Sequence, residues 1–545
     1  MSEIIKREPA IPVVSGIVDP IREGRKAGWY MKSATEFSNG EVLEADVIII
    51  GTGAGGGTSA EILAEAGLKV LMIEEGPLKS SDDFKMDERD AYHNLYQESA
   101  GRMSKDGAMS ILQGRCVGGT TVINWTSSFR TPEQTLEYWG KEFGIKGVSK
   151  EEMAPWFAKM EERLGVALWG MEPNKNNAVL RDGAEKLGVH WEVIPRNVRG
   201  CWNLGYCGTG CPTNAKQSML VTTIPGALQN NAKLVYSARV DRLIMDGKKV
   251  LGVDIVALDE QYRPTKVRIA AKAPRVILAA GAINGPALML RSKAPDPYKL
   301  IGKRSFFHPT TFTFAEFEEV IDPYYGAPQS VHCDHYQWES VNGPVGFKLE
   351  VPPLHPGLAG VLLLGHGISH FQDIHKLPHL HSMIALLRDG FNPESQGGKI
   401  ELASDGAPII DYEINDYLWD GVKRSWKAMA EIQFAAGAKA VRISHMDSPW
   451  YHNVEEAKAG IDQLSSRSNS FTAGSAHCMG GLTMGEDVKR SLVNSQGKYH
   501  HLDNLYVFDG SVFPTSIGAN PQLSIYGMTC KNATHLAEEI KAGRA

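Results

Sequence analysis

Apolar positions in this chain gather into short unbroken runs separated by polar and glycine-rich stretches. Asp46–Ile50 carries four consecutive β-branched residues, the pattern of a strand buried on both faces of a parallel sheet. Thr58–Gly67 (TSAEILAEAG) reads as a helix and Lys69–Ile73 as a second strand. The same βαβ-type texture returns at Lys233–Val240 and Arg275–Ala280. Between about Pro132 and Gly188 the pattern is polar and helical, with Trp and Met residues interspersed. From about Leu300 to Asn469, proline, histidine and aromatic residues alternate with apolar ones, which predicts an antiparallel region. Glycine-rich apolar segments resume at Ala473. These shifts predict an α/β nucleotide-binding unit in pieces, interrupted by a substrate domain. Its divisions fall at an N-terminal arm 1–44, a first part 45–131, a helical lid segment 132–200, a second part 201–299, the substrate domain 300–469 and a third part 470–545.

The turn between the first strand and helix identifies a ligand class. Gly51, Gly53 and Gly56 stand in G-x-G-x-x-G spacing, with Ala54 inside the turn. The first glycine permits the tight turn, and the second lets backbone approach a pyrophosphate. The third lets the helix close on the strand, and the helix N-terminus offers amides to phosphate. Glu74 ends the second strand, where a carboxylate accepts hydrogen bonds from a ribose. Strand, glycines, helix, strand and acid in this order predict a dinucleotide ligand.

At 545 residues, with 43% hydrophobic and 22% charged residues, the chain has the make-up of a globular protein with more than one core. A net charge of −6 leaves no basic footprint for nucleic acid. No apolar run reaches bilayer-spanning length, and the first 24 residues mix acids and prolines where a secretory leader needs an apolar core. A cytoplasmic location is expected, with peripheral membrane contact left open. Seven cysteines, an odd number, do not suggest a disulfide framework.

Further motifs narrow the reading: GRCVGGTTVIN at Gly114–Asn124, GAINGPALMLR at Gly281–Arg291, SAHCMG at Ser475–Gly480 and NLYVFDGSVFPTSIGANPQLSI at Asn504–Ile525. Together with the glycine turn, and in this order, they resemble the glucose–methanol–choline (GMC) family of FAD-dependent oxidoreductases over roughly residues 45–540. The resemblance implies a Rossmann-like FAD domain of the p-hydroxybenzoate-hydroxylase type beneath an antiparallel-sheet substrate domain. It implies that Arg115, Gly118, Gly119, Thr120 and Asn124 form a loop against the cofactor. It also places Val240 beside adenine and Asp509–Gly510 beside the ribityl and pyrophosphate groups. Ile123 stands where some relatives carry a flavin-linked histidine, which implies non-covalent FAD.

The same resemblance assigns His477 as base and Asn520 as its partner, the second also touching the cofactor. Chemistry agrees with the pairing, because oxidising an alcohol needs a proton acceptor for the hydroxyl and a polar group to hold its oxygen. Cys478 replaces the proline that often follows this histidine. Cys201, Cys207 and Cys211 form a C-x5-C-x3-C array. Three readings of it stand: a structural glycine-turn loop, an iron–sulfur cluster, and a zinc site lacking a fourth ligand at standard spacing. His355, His366, His370, His375, His379 and His381 read as cavity or surface packing more readily than as metal ligands. His308–Pro309 reads as a structural loop between domains.

The expected activity is oxidation of an alcohol CH–OH group, with electrons passed to dioxygen, a quinone or a cytochrome. The alternatives are a peroxide-forming oxidase of the same fold and a sugar dehydrogenase with an iron–sulfur relay. A nicotinamide-only dehydrogenase leaves the C-terminal motifs unexplained, and a non-catalytic flavin-binding protein leaves His477 and Asn520 unexplained.

Overall fold

The continuous apolar runs become the middle of one parallel sheet. The computed structural model describes residues 17–467 and 470–543, so the start of the expected N-terminal arm lies outside the described residues. Six strands run in the order Met31–Ser33, Lys233–Tyr236, Val70–Ile73, Val47–Ile50, Arg275–Leu278 and Leu505–Val507, all parallel. The three central strands, Val70–Ile73, Val47–Ile50 and Arg275–Leu278, are almost wholly buried. That burial is why their sequences show no polar alternation. The arm does more than pack on this sheet: Met31–Ser33 forms its edge, and Val42–Glu44 pairs with a neighbouring sheet.

The helix after the glycine turn spans Ala54–Glu65 and starts four residues earlier than the sequence pattern predicts. Gly53 is its N-cap, so the glycines belong partly to the helix itself. The long C-terminal helix Gln522–Lys541 packs beside it. Between Lys233–Tyr236 and Arg275–Leu278 the chain inserts an antiparallel meander, Ala238–Asp246, Lys249–Leu258 and Pro264–Lys272, where a simple βαβ crossover was expected.

The antiparallel region centres on Thr310–Glu316, which pairs with Leu380–Leu387 on one side and Ala440–Ile443 on the other. Helix Asp416–Ala436 covers this sheet. The Asn415 side chain accepts from the Leu418 amide at 3.0 Å to start that helix, and Gly437, at φ +109°, ends it. Its buried face, Leu418, Val422, Trp426 and Met429, follows the 3.6-residue period and shares one core with the sheet. The sheet also takes in Met109–Ile111, Glu192–Val193 and Ala473–Ser475, which lie outside the expected substrate segment 300–469. The result is the expected mixed α/β arrangement, a Rossmann-type parallel sheet with an antiparallel sheet joined to it.

Candidate active site

A cavity of about 510 Å³ lies between the two sheets. That volume is in the range of small-molecule and cofactor sites. Its floor is built by two glycine loops meeting back to back. Gly51 has φ +95°, and a Cβ on it would stand 2.4 Å from the Ala279 carbonyl oxygen. Gly119 has φ +55°, and its Cβ would stand 2.8 Å from the Gly53 Cα. Thr52 ties the loops together: its Oγ1 accepts from the Gly118 amide at 3.0 Å and donates to Glu74 Oε2 at 2.6 Å. Glu74 also accepts from the Thr52 and Gly76 amides, at 3.0 and 2.9 Å. Burial still pushes its carboxyl above the usual range, because these bonds only partly replace water. Gly51, Gly53, Ala54 and Glu74 line the cavity beside the start of helix Ala54–Glu65. Gly56 lies behind the floor, where a Cβ would sit 2.0 Å from the Gly51 carbonyl oxygen. This is the close strand–helix packing expected of the third glycine.

The remaining sequence-derived positions converge on the same space. Arg115, Gly119, Thr120, Asn124, Val240, Asp509, Gly510, His477 and Asn520 all line the cavity, whereas Gly118 lies just outside it. The Arg115 guanidinium lies 3.8 Å from the Tyr262 ring centroid, and its buried Nε has no hydrogen-bond partner among the described residues. Thr120 Oγ1 accepts from the Gly114 amide at 3.0 Å and closes its loop. The Asn124 Nδ2 donates to Gln522 Oε1 at 2.7 Å, locking the loop to the C-terminal helix. Asp509 accepts from the Gly281 and Ser511 amides, each at 2.8 Å, and joins the starts of two further segments. Burial raises its carboxyl as well.

Strand register brings the polar groups together above this floor. Phe306 pairs with Met479 in an antiparallel ladder, which sets the residues two positions beyond, His308 and His477, opposite one another. Their Nδ1 atoms are 2.9 Å apart, and their rings meet edge-on at 89°. His477 opens onto the cavity yet is surrounded by protein. Burial, reinforced by the Lys348 charge, lowers its imidazole to about 3, so the ring is neutral near pH 7. Asn520 Nδ2 donates to the buried Glu350 Oε2 at 3.1 Å, while its Oδ1 has no partner among the described residues. Lys348 Nζ stands 4.0 Å from Glu350 Oε1 and 3.0 Å from the centroid of the Phe129 ring. Burial pulls this lysine down to about 8 and pushes Glu350 up.

The N-terminal GMC oxidoreductase family model matches residues 92–310 and the C-terminal one residues 393–529, together more than half the chain. The chain belongs to this family. It is 28% identical over 529 residues to the long-chain-alcohol oxidase FAO1 of Arabidopsis thaliana, covering 92% of this chain and 67% of FAO1. Its fold matches the formate oxidase of Aspergillus oryzae RIB40, with a TM-score of 0.70, 15% identity and coverage of 93% of this chain and 100% of that one. It also matches the pyridoxine 4-oxidase of Mesorbium loti, with a TM-score of 0.67, 17% identity and coverage of 90% and 98%. The protein is a GMC-family oxidoreductase.

In this GMC oxidoreductase, His308 gains a neighbour the sequence did not suggest, and several further residues enter unannounced. His308–Pro309 does lie in the loop that joins strand Lys303–Phe306 of one sheet to strand Thr310–Glu316 of another, and the His308 ring is also the direct neighbour of His477. The cysteine array does not present a cluster or zinc site. Cys207 Sγ accepts from Arg196 at 3.7 Å, Cys201 Sγ from the Asn203 amide at 3.4 Å, and Cys211 Sγ lies 3.4 Å from the Thr213 hydroxyl. All three thiols are free, and among the described residues no group of three or more metal-ligating side chains is gathered. The loop is instead pinned by Lys216, whose Nζ donates to the carbonyls of Val122, Asn124 and Cys207. The histidine-rich segment also gathers no ligand set among the described residues; His381, for one, is spent on Asn176 Oδ1 at 2.9 Å. Sequence reading missed Glu350, Lys348 and Gln522. Gln522 stood within the quoted C-terminal motif, two residues beyond Asn520, and was legible there. Glu350 and Lys348 alternate along strand Phe347–Glu350 and carried no signal in sequence.

Proposed function

We propose that this oxidoreductase binds FAD non-covalently and oxidises the CH–OH group of an alcohol to an aldehyde or ketone. The observation carrying the proposal is that one cavity holds both the dinucleotide cradle and the His477–Asn520 pair. The residues fit the cofactor. Two glycine loops leave room that side chains would fill, a buried acid ends the second strand, and the unpartnered Arg115 Nε faces a group still to be supplied. FAD, when bound, supplies the acceptor for the hydride leaving the alcohol carbon. The chain's own part is to orient the hydroxyl and take its proton. His477, neutral because it is buried, has an imidazole nitrogen to receive that proton at neutral pH. Asn520 lines the same cavity, where its amide can hold the substrate oxygen.

Ile123 lines the cavity and offers no nucleophile for a flavin link. Phe312, Pro352, Ile384 and Leu386 give the antiparallel side of the cavity an apolar wall, which favours an apolar alcohol over a free sugar. The similarity to FAO1, named for long-chain alcohols, supports the same substrate class. The oxidase names of FAO1 and pyridoxine 4-oxidase favour dioxygen over a quinone or cytochrome as the electron acceptor. The test is an anaerobic visible spectrum of FAD-loaded protein before and after addition of alcohols and sugars. Bleaching by medium- or long-chain alcohols is expected. Failure to take up flavin at all would overturn the reading.

A further inference from the structure

The hydrogen bonds behind His477 fix where its proton sits. The Gly518 amide N–H donates to His308 Nε2 at 3.0 Å. A backbone amide can only donate, so His308 Nε2 must carry a lone pair. His308 is buried, and desolvation holds it well below the usual imidazole range, so the ring is neutral with its single proton on Nδ1. That proton points at the Nδ1 of His477, 2.9 Å away. His477 Nδ1 is then the acceptor, and neutral His477 carries its own proton on Nε2.

We infer that His308 is a positioning residue that fixes the tautomer of His477, so that the resting ring meets a substrate hydroxyl as a hydrogen-bond donor through Nε2–H. The inference rests on the proposed reading of His477 as the proton-handling group. It adds a requirement to that reading. To receive a hydroxyl proton at Nε2, His477 must first carry its own proton on Nδ1. His308 must then turn a lone pair toward it and hold a proton on Nε2. The Gly518 N–H and a His308 Nε2–H cannot face each other at 3.0 Å, so the amide has to release the ring. Gly518, at φ +72° and hemmed in by Trp338 and Gln337, is the latch of this arrangement. The second polar group at the cavity is also fixed from behind, but in the opposite sense, as an acceptor. Glu350 engages the Asn520 Nδ2, which leaves the amide oxygen as the unpaired atom.

The test reads the tautomer directly. FAD-loaded, oxidised protein labelled with [15N]histidine is examined by long-range proton–nitrogen correlation NMR, and the His477 signals are assigned by their loss in His477→Asn. The expected result is a protonated, pyrrole-type Nε2 and an unprotonated, pyridine-type Nδ1 on His477. A pyrrole-type Nδ1 would overturn the inference. In His308→Gln, whose amide can reach Gly518 but not His477, the pyrrole-type Nε2 signal is expected to give way to an exchange-averaged pair. If that variant binds flavin with an unchanged visible spectrum and keeps the wild-type nitrogen pattern, His308 does not set the tautomer. The two readings fail separately. A protein that no alcohol bleaches but that shows the Nε2–H pattern would sink the proposed function and keep this one, and a bleachable protein with Nδ1–H would do the reverse.

Discussion

Glu350 holds two buried groups at once, the Asn520 amide and the Lys348 ammonium. Replacing it with alanine strands a buried lysine and frees the amide that Asn520 spends on it. Breaking a buried pair by removing one partner costs about 3–5 kcal/mol. Glu350→Ala is therefore expected to lower the unfolding free energy by that amount, read as a lower denaturant midpoint at unchanged m-value. Lys348→Met combined with Glu350→Leu should recover most of the loss, because no unpaired charge remains. Equal destabilisation in the single and double variants would show that packing, not charge, dominates this site. His477→Ala tests chemistry at the same scale. Loss of a positioned proton-transfer group lowers kcat by about 10²–10⁴-fold. Flavin uptake should stay intact, since the glycine floor is built by Gly51, Gly53 and Gly119, not by this ring. His477 was legible because a motif surrounds it. His308 was not: a lone His–Pro pair looks like a loop until the Phe306–Met479 register sets it against His477.

At the scale of elements, what could be read from sequence divides by burial. Val47–Ile50, Val70–Ile73 and Arg275–Leu278 are apolar throughout because both their faces are covered, and each was found within a residue or two of its observed limits. Met109–Ile111 and Ala473–Ser475 are three residues long and pair with each other across the chain, too short for either period to register. The glycine floor was legible because its geometry demands glycine. Gly119→Ala tests that demand, since its Cβ would intrude on the Gly53 Cα and φ +55° disfavours a side chain. The loop pair is expected to separate, with flavin lost on gel filtration while far-ultraviolet circular dichroism is retained. Retention of stoichiometric flavin would show that the loops can shift without harm. The cysteine loop was ambiguous in sequence because thiol spacing is blind to Lys216 and Arg196, which hold it. Cys207→Ser preserves an acceptor for Arg196 and should leave flavin content and alcohol oxidation within about twofold of wild type, as expected of a surface-like change without loss of a hydrogen bond. A collapse of activity in that variant would return the thiol to the mechanism.

For the whole molecule, the buried imidazoles make stability depend on pH. Burial lowers both His381 and His477 to about 3, whereas an unfolded histidine titrates near 6.5. Between those values the unfolded chain takes up protons that the folded chain refuses, so the stability these sites permit at neutral pH is lost as pH falls below about 6.5. Glu74, Glu350 and Asp509, raised by burial, act in the opposite sense: the folded chain holds their protons longer, so lowering pH favours folding through them. The net profile of the wild type mixes both. A difference between two proteins does not, because the carboxylates cancel. His381 lies outside the cavity lining and is engaged through Asn176, so it can be changed without touching the proposed chemistry. His381→Gln removes one titrating site, and whatever packing it disturbs is the same at both pH values. The stability gap between wild type and variant, measured by urea unfolding, is therefore expected to move by about 2 kcal/mol in the variant's favour between pH 7 and pH 5. A gap that stays constant across that interval would mean His381 accepts a proton in the folded protein, and that its hydrogen bond with Asn176 rearranges to allow it.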